Sequence, residues 1–278
     1  MTTPSASRSG PRFLKGHGTE NDFVVLFDPD QRYGLTDRQV QALCSRTRGL
    51  GADGVLRAVP AEVGADWFMD YRNADGSIAE MCGNGARLFA IALRDAGLVG
   101  VDSFTLQTRG GERPVSVDGD QVTVGMGWAS TSDDAAVVSV GERQWAATPV
   151  WVPNPHAVAF VDDLAEAGDL AVTPGVTPAS VFPDGVNVEF VVERGPAHVA
   201  MRVHERGVGE TRSCGTGAVA VAWAWRRRSG TTQETIQVDV PGGSVFVTEH
   251  RDGQLDLGGP AVIVARGVLD AQWWEENA

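Results

Sequence analysis

Four stretches of the chain alternate apolar and polar residues: QVTVGMG (121–127), AHVAMRV (197–203), ETIQVDV (234–240) and SVFVTE (244–249). A period of two is the signature of a strand with one buried face. Two other stretches break the alternation. GARLFAIALRDAGL from Gly85 and GAVAVAWAWRRRSG from Gly217 are apolar nearly all round, which predicts buried helices. The first is stopped at Gly97. The second ends in three arginines, Arg226 to Arg228, and then Gly230. Cations suit the negative end of a helix, and glycine suits its C-cap. VIVARGV (262–268) reads as a late strand that returns to complete the sheet of the first half of the chain.

The pattern also repeats. CGNGARLFA (82–90) matches CGTGAVAVA (214–222) at an offset of 132 residues, with Cys, two Gly and two Ala in common. Asp53-Gly54-Val55 matches Asp184-Gly185-Val186 at an offset of 131, and NDFVVL from Asn21 resembles NPHAVAF from Asn154 at 133. Three matches in one order at nearly one offset imply two homologous halves. The predicted fold is α/β, of the α+β kind. Two pseudosymmetric domains are each a curved, mostly antiparallel or mixed sheet wrapped around a central helix, and the active site lies in the cleft between them. Residues 1–10 (MTTPSASRSG) are expected to be a disordered tail rather than a secretory signal, since they contain no apolar run. Residues 11–127 form the first half, completed by 264–278, and residues 128–263 form the second.

Composition removes several functions. The chain has 278 residues and a formal net charge of −13, which disfavours binding to nucleic acid, whose phosphates need a basic footprint. No apolar run is long enough to span a membrane. There are three cysteines, Cys44, Cys82 and Cys214, with no Cys-x-x-Cys pair. Free thiols in a reducing cytoplasm are expected, with no structural metal. Cys44, in VQALCSRT with no flanking glycines, reads as packing.

Cys82 and Cys214 stand differently, each just before a helix in a Cys-Gly-x-Gly-Ala frame. A helix N-terminus carries unpaired N–H groups and a partial positive charge. It should lower a thiol's pKa and dock a substrate carboxylate. Glycines at 83, 85, 215 and 217 clear the approach. One such cysteine alone is usually a small core residue. Two in symmetry-related places suit proton abstraction from one face of a carbon beside a carboxylate and delivery to the other, with neither metal nor pyridoxal phosphate.

At these residues the chain resembles the diaminopimelate epimerase family. The motifs are KGHGTENDFVVL (15–26), GADGVL (51–56), YRNADGSIAEMCGNGARLFA (71–90), VPNPHAVAF (152–160), GVNVEF (185–190) and HERGVGETRSCGTGA (204–218). The resemblance implies a cofactor-independent, cytoplasmic isomerase, commonly a homodimer. It would interconvert L,L- and meso-diaminopimelate for lysine and peptidoglycan precursor synthesis. It implies Cys82 and Cys214 as the catalytic pair. Gly83, Asn84, Gly215 and Thr216 would bind the reacting carboxylate. Asn21, Asn73, Asn154 and Asn187 would bind substrate, and Glu205 with Arg206 would hold its amino and carboxylate groups. Asn73 and Asn154 also suit plain turns, and Glu205-Arg206 suits surface charge, though its place before the Cys214 loop favours the site. His156, like Glu205, could tune the nearby thiol, or it could be a satisfied core histidine. Gly54 stands where some members carry Gln, so one polar contact of theirs is missing.

The nearest alternative is a proline or hydroxyproline racemase. Those enzymes usually carry His where this chain has Asn84, and they lack the run from Glu205 to Thr211. A fold relative that replaces both cysteines is disfavoured by the intact pair. An amino-acid-binding or thiol-redox sensor protein is the alternative from another class, and α-proton exchange would separate it from an enzyme.

Overall fold

A computed structural model of the protein describes residues 10–278. The expected tail therefore lies outside the described residues except for Gly10. That glycine is buried, and a Cβ there would meet the Leu269 carbonyl oxygen at 2.4 Å.

The chain forms eighteen strands and four α-helices among the described residues, with two short 3-10 turns besides. In order they are β1 (Arg12–Gly18), β2 (Asn21–Phe27), α1 (Asp37–Cys44), β3 (Gly54–Pro60), β4 (Trp67–Asn73), α2 (Gly83–Asp95), β5 (Ser103–Thr108), β6 (Gly111–Asp118) and β7 (Gln121–Gly127). There follow β8 (Ala136–Val140), β9 (Arg143–Val152), β10 (Asn154–Phe160), β11 (Gly175–Thr177), β12 (Asn187–Gly195), β13 (His198–Glu205) and β14 (Gly209–Thr211). The chain ends with α3 (Gly215–Ser229), β15 (Thr235–Val240), β16 (Gly243–Glu249), β17 (Leu255–Pro260), β18 (Val262–Val268) and α4 (Ala271–Glu276). No described helix is long and apolar enough to cross a membrane.

Two compact units result. One holds the described residues up to Gly18 together with Asp22–Val122 and Ala261–Ala278; the other holds Thr19–Asn21 and Thr123–Pro260. The repeat appears as one ladder pattern used twice. In the first unit β2 pairs parallel with β3, β3 antiparallel with β4, β4 parallel with β5, and β5 antiparallel with β6. In the second unit β10, β12, β13, β15 and β16 repeat that alternation. β18 pairs antiparallel with β1, so the late strand extends the first unit's sheet.

Each unit buries one helix. Ten of the thirteen residues of α2 are buried, from Gly83 to Leu93. It packs on β1, β3, β6 and β18. In α3 every residue from Gly215 to Trp225 is buried against strands of the second unit. α3 ends at Gly230, whose φ of 68° is the left-handed C-cap that glycine adopts without strain. Cys44 ends α1 inside an apolar cluster with Val24, Val40, Leu43 and Trp274. Burial pushes its thiol up to about 12, which leaves it inert near neutral pH.

The KGHGTENDFVVL segment is held by ion pairs. Asp22 accepts from Lys15 and from Arg46, which also reaches Asp53 at 2.8 Å. Burial opposes ionisation of Asp22, but the bonds from Arg46 and Lys15 outweigh it and bring the carboxyl down to about 2. A folded-state value below that of the unfolded chain stabilises at pH above about 4, and the contribution is lost as pH falls through about 2. Asp22→Asn should therefore cost about 1–2 kcal/mol at pH 7, allowing for solvent screening, and almost nothing at pH 2. Urea unfolding of the two proteins at both pH values measures this difference.

Candidate active site

Cys82 is the N-cap residue of α2. Its backbone is extended (φ −141°, ψ 119°), and the Gly85 N–H donates to its Sγ at 3.4 Å. Gly83 and Asn84 open the helix behind it, and Asn84 is fully buried. The wall beside Gly85 is hydrocarbon: a Cβ there would meet Leu56 and Phe23 at 3.4 Å. Arg87, one turn along α2, is fully buried as well. Burial draws its guanidinium down to about 10 while the Cys82 charge supports it, so Arg87 is a cation at neutral pH beside this thiol.

The Gly54 departure has a local cause. A Cβ at this position would meet the Arg72 carbonyl oxygen at 2.7 Å and the Tyr71 ring at 2.9 Å. That ring packs edge-on to Phe23, with centroids 5.8 Å apart, and fills the space a longer residue would need. Asn73 lies opposite Gly54 in the β3–β4 ladder. Its carbonyl closes a turn onto Gly76, and its side chain donates to Ser77 Oγ at 3.0 Å.

The second unit gathers more of the expected residues. Cys214 caps α3 with the same extended backbone (φ −119°, ψ 115°) and accepts from the Gly217 N–H at 3.4 Å. Thr216 Oγ1 lies 3.5 Å from its sulfur. His156 is fully buried, with Nδ1 2.6 Å from Glu189 Oε1 and Nε2 3.2 Å from Asn154 Oδ1. Asn187 Oδ1 accepts from the Arg206 N–H at 2.9 Å, and its amide donates to the Pro155 carbonyl at 3.2 Å. Arg206 Nη1 donates to the Asp184 carbonyl at 2.9 Å. Glu205 accepts from the Thr211 hydroxyl. Asn21 is grouped with this unit. The turn preceding it, with Thr19 and Glu20 at positive φ, is tied down by a 2.7 Å Thr19–Ser213 hydroxyl bond and by the Arg212–Glu20 ion pair.

The expectation of a lowered thiol pKa is reversed at Cys214. Burial pushes this thiol well up, and the charges of Glu205 and Glu189 push it further. The Thr216 and Gly217 hydrogen bonds act the other way without prevailing. A helix end lowers a thiol pKa where water still reaches the sulfur. In a dry setting with two carboxylates, desolvation and like-charge repulsion win. Burial also raises Glu205, with the Glu189 charge adding to it.

Two buried groups escaped the sequence reading, Glu189 and Arg87. Each left a signal: a lone charge in an otherwise apolar run, NVEFVV or ARLFAIAL. Such a charge is rare in a core without a partner.

The two frames differ in what they tolerate. A Cβ at Gly217 would lie 2.8 Å from Glu189 Oε1, whereas the closest approach at Gly85 is 3.4 Å. Gly217→Ala should lower stability by about 1–3 kcal/mol. Gly85→Ala should be neutral or gain up to about 1 kcal/mol from helix propensity. Thermal denaturation of the two variants checks this order.

The comparisons with known proteins agree with these motifs. A family model described as diaminopimelate epimerase matches residues 13–132 and 150–264. The chain is 56% identical to the diaminopimelate epimerase of Streptomyces coelicolor over 95% of its own length and 96% of that protein. It is 49% identical to that of Mycolicibacterium smegmatis, covering 96% and 99%. Among solved structures it resembles a Bacillus anthracis phenazine biosynthesis protein of the PhzF family, with a TM-score of 0.70, 18% identity and coverage of 94% and 99%. It also resembles a hydroxyproline epimerase from Agrobacterium vitis, with a TM-score of 0.69, 16% identity and coverage of 96% and 94%. At those identities the likeness is one of fold. The proline-type alternative thus matches as a fold relative, while the sequence similarity runs through the whole repeat, and the chain belongs to the diaminopimelate epimerase family.

Proposed function

We propose that the protein interconverts L,L- and meso-diaminopimelate, with Cys82 and Cys214 as the acid/base pair. The observation that carries this reading is the shared frame: each cysteine caps a buried helix that opens Gly-x-Gly, with its sulfur on the N–H of the second glycine, and the first-turn N–H groups of a helix are the ones on which a carboxylate docks. A carboxylate placed on such N–H groups holds its α-carbon near sulfur. A thiolate on one face removes the α-proton, and a thiol on the other face supplies one. Developing negative charge on the carboxylate is met by the helix ends. Gly83, Asn84, Gly215 and Thr216 provide the N–H groups. Asn21, Asn73, Asn154, Asn187, Glu205 and Arg206 recognise the remainder of the substrate. No cofactor takes part, and the protein works as a cytoplasmic homodimer in lysine and peptidoglycan precursor synthesis.

The purified protein incubated with L,L-diaminopimelate in D2O should lose the α-proton NMR signal while the meso isomer accumulates. L-Proline under the same conditions should keep its signal. Faster exchange into proline would move the chain to the proline-type function, and no exchange into either would make it a binder.

A further inference from the structure

The two halves share a backbone but not a charge. In the first unit Phe23 lies opposite Gly54 and Val25 opposite Leu56. In the second, His156 lies opposite Asn187 and Val158 opposite Glu189. Phe23 therefore corresponds to His156, Gly54 to Asn187 and Leu56 to Glu189. The helices repeat the match. The third residue after each cysteine is a glycine, with Leu56 and Phe23 beside Gly85, and Glu189 Oε1 beside Gly217. Arg87 of α2 stands where α3 has Val219. Cys82 thus has hydrocarbon and a cation around it, and Cys214 has carboxylates.

Glu189 is fully buried. One oxygen meets His156, and Oε2 has no hydrogen-bond partner among the described residues. Such a group costs stability, and hydrocarbon of similar volume usually does better. Leu56 shows that the same ladder position accepts it. The carboxylate is better explained by what it does to its neighbours. Those around it are His156 from β10, Glu205 from β13, and Cys214 at the start of α3. Both Glu189 Oε1 and Cys214 Sγ lie within 3.3 Å of the point a Gly217 Cβ would occupy.

We propose that Glu189 is a positioning residue that, together with Glu205, holds Cys214 as the thiol in the unliganded protein. This deepens, and rests on, the two-cysteine reading above. In the direction that draws on this thiol, the Cys82 thiolate takes the α-proton, forming S–H as C–H breaks. Cys214 S–H then breaks to form the new C–H on the opposite face. The negative charge ends on the Cys214 sulfur beside Glu189 and Glu205. Proton count and charge are conserved.

The test titrates thiolate absorbance near 240 nm, a signal that needs neither turnover nor reagent access. In a Cys44→Ala, Cys82→Ser protein the one remaining thiol is Cys214, and the same protein with Cys214→Ser added supplies the tyrosine background to subtract. Adding Glu189→Gln should lower the Cys214 midpoint by at least about one pH unit, a tenfold gain in thiolate at fixed pH. In the protein with both cysteines intact, Glu189→Gln should move the basic limb of the kcat/KM profile down by a similar amount. A purely structural role would lower kcat/KM at every pH and leave the limb in place. An unmoved midpoint in a variant that melts like the parent overturns the proposal. Should Glu189→Gln not fold, Glu189→Leu, the residue the first unit carries at the same ladder position, takes its place: the Cys214 midpoint must fall likewise, and an unmoved midpoint overturns the proposal. Intact α-proton exchange with an unmoved midpoint rejects the role of Glu189 alone. Absent exchange in the native protein rejects the epimerase reading itself.

Discussion

Cys82→Ala and Cys214→Ala should each reduce epimerisation to background, a loss of about a thousandfold or more in kcat/KM. Inversion needs a proton acceptor on one face of the carbon and a donor on the other, and a positioned acid or base is worth about 10²–10⁴ in rate. Removing either sulfur removes one proton route completely, so the effect should sit at or beyond the top of that range. The fold should survive, because each helix keeps its glycine frame and Ala fits where Cys does. The backbone at both caps is extended and unstrained. The double variant should be no worse than either single one, since the two groups act as a unit. Coupled Michaelis–Menten and D2O exchange assays on variants with parent-like melting curves provide the check. Near-normal turnover by either variant would end the two-base mechanism.

Arg206→Ala should lower kcat/KM on diaminopimelate by roughly tenfold to a thousandfold, and Arg206→Lys should recover only part of the loss. A charged hydrogen bond is worth more than a neutral one, and the guanidinium fork matches a carboxylate in a way an ammonium does not. One arm of Arg206 is anchored on the Asp184 carbonyl, and its backbone N–H is fixed by Asn187. On the proposed reading, the remaining guanidinium donors meet the substrate carboxylate. Asn187→Ala should reproduce part of the effect by freeing the Arg206 backbone. A structural role alone would appear as a lower melting temperature with unchanged kcat/KM.

Much of the fold was legible in order of residues because it rests on local rules. QVTVGMG is β7 over its full predicted span, 121–127, and α3 runs to the predicted glycine cap. Periodicity, helix capping and glycine placement are properties of neighbouring residues, so a sequence displays them directly. The repeat was legible too, but not its register. Asp53-Gly54-Val55 and Asp184-Gly185-Val186 look equivalent, yet the ladders make Gly54 correspond to Asn187, two residues away from the apparent match. Identical tripeptides at a strand entrance mark a shared turn chemistry, whereas register is set by which side chains the sheet must bury.

The sequence by itself determined that two cysteines occupy equivalent helix caps, because the Cys-Gly-x-Gly-Ala frame is local. Tertiary structure alone decided how differently those caps are surrounded. Glu189 lies twenty-five residues from Cys214 in the chain and reaches it only because β12 runs parallel to β10 behind α3. Whether a thiol at a helix end is pushed toward thiolate or held as thiol depends on water and on charges brought in from distant strands. Burial and the Glu205 and Glu189 carboxylates reverse, at Cys214, what the helix end alone would do.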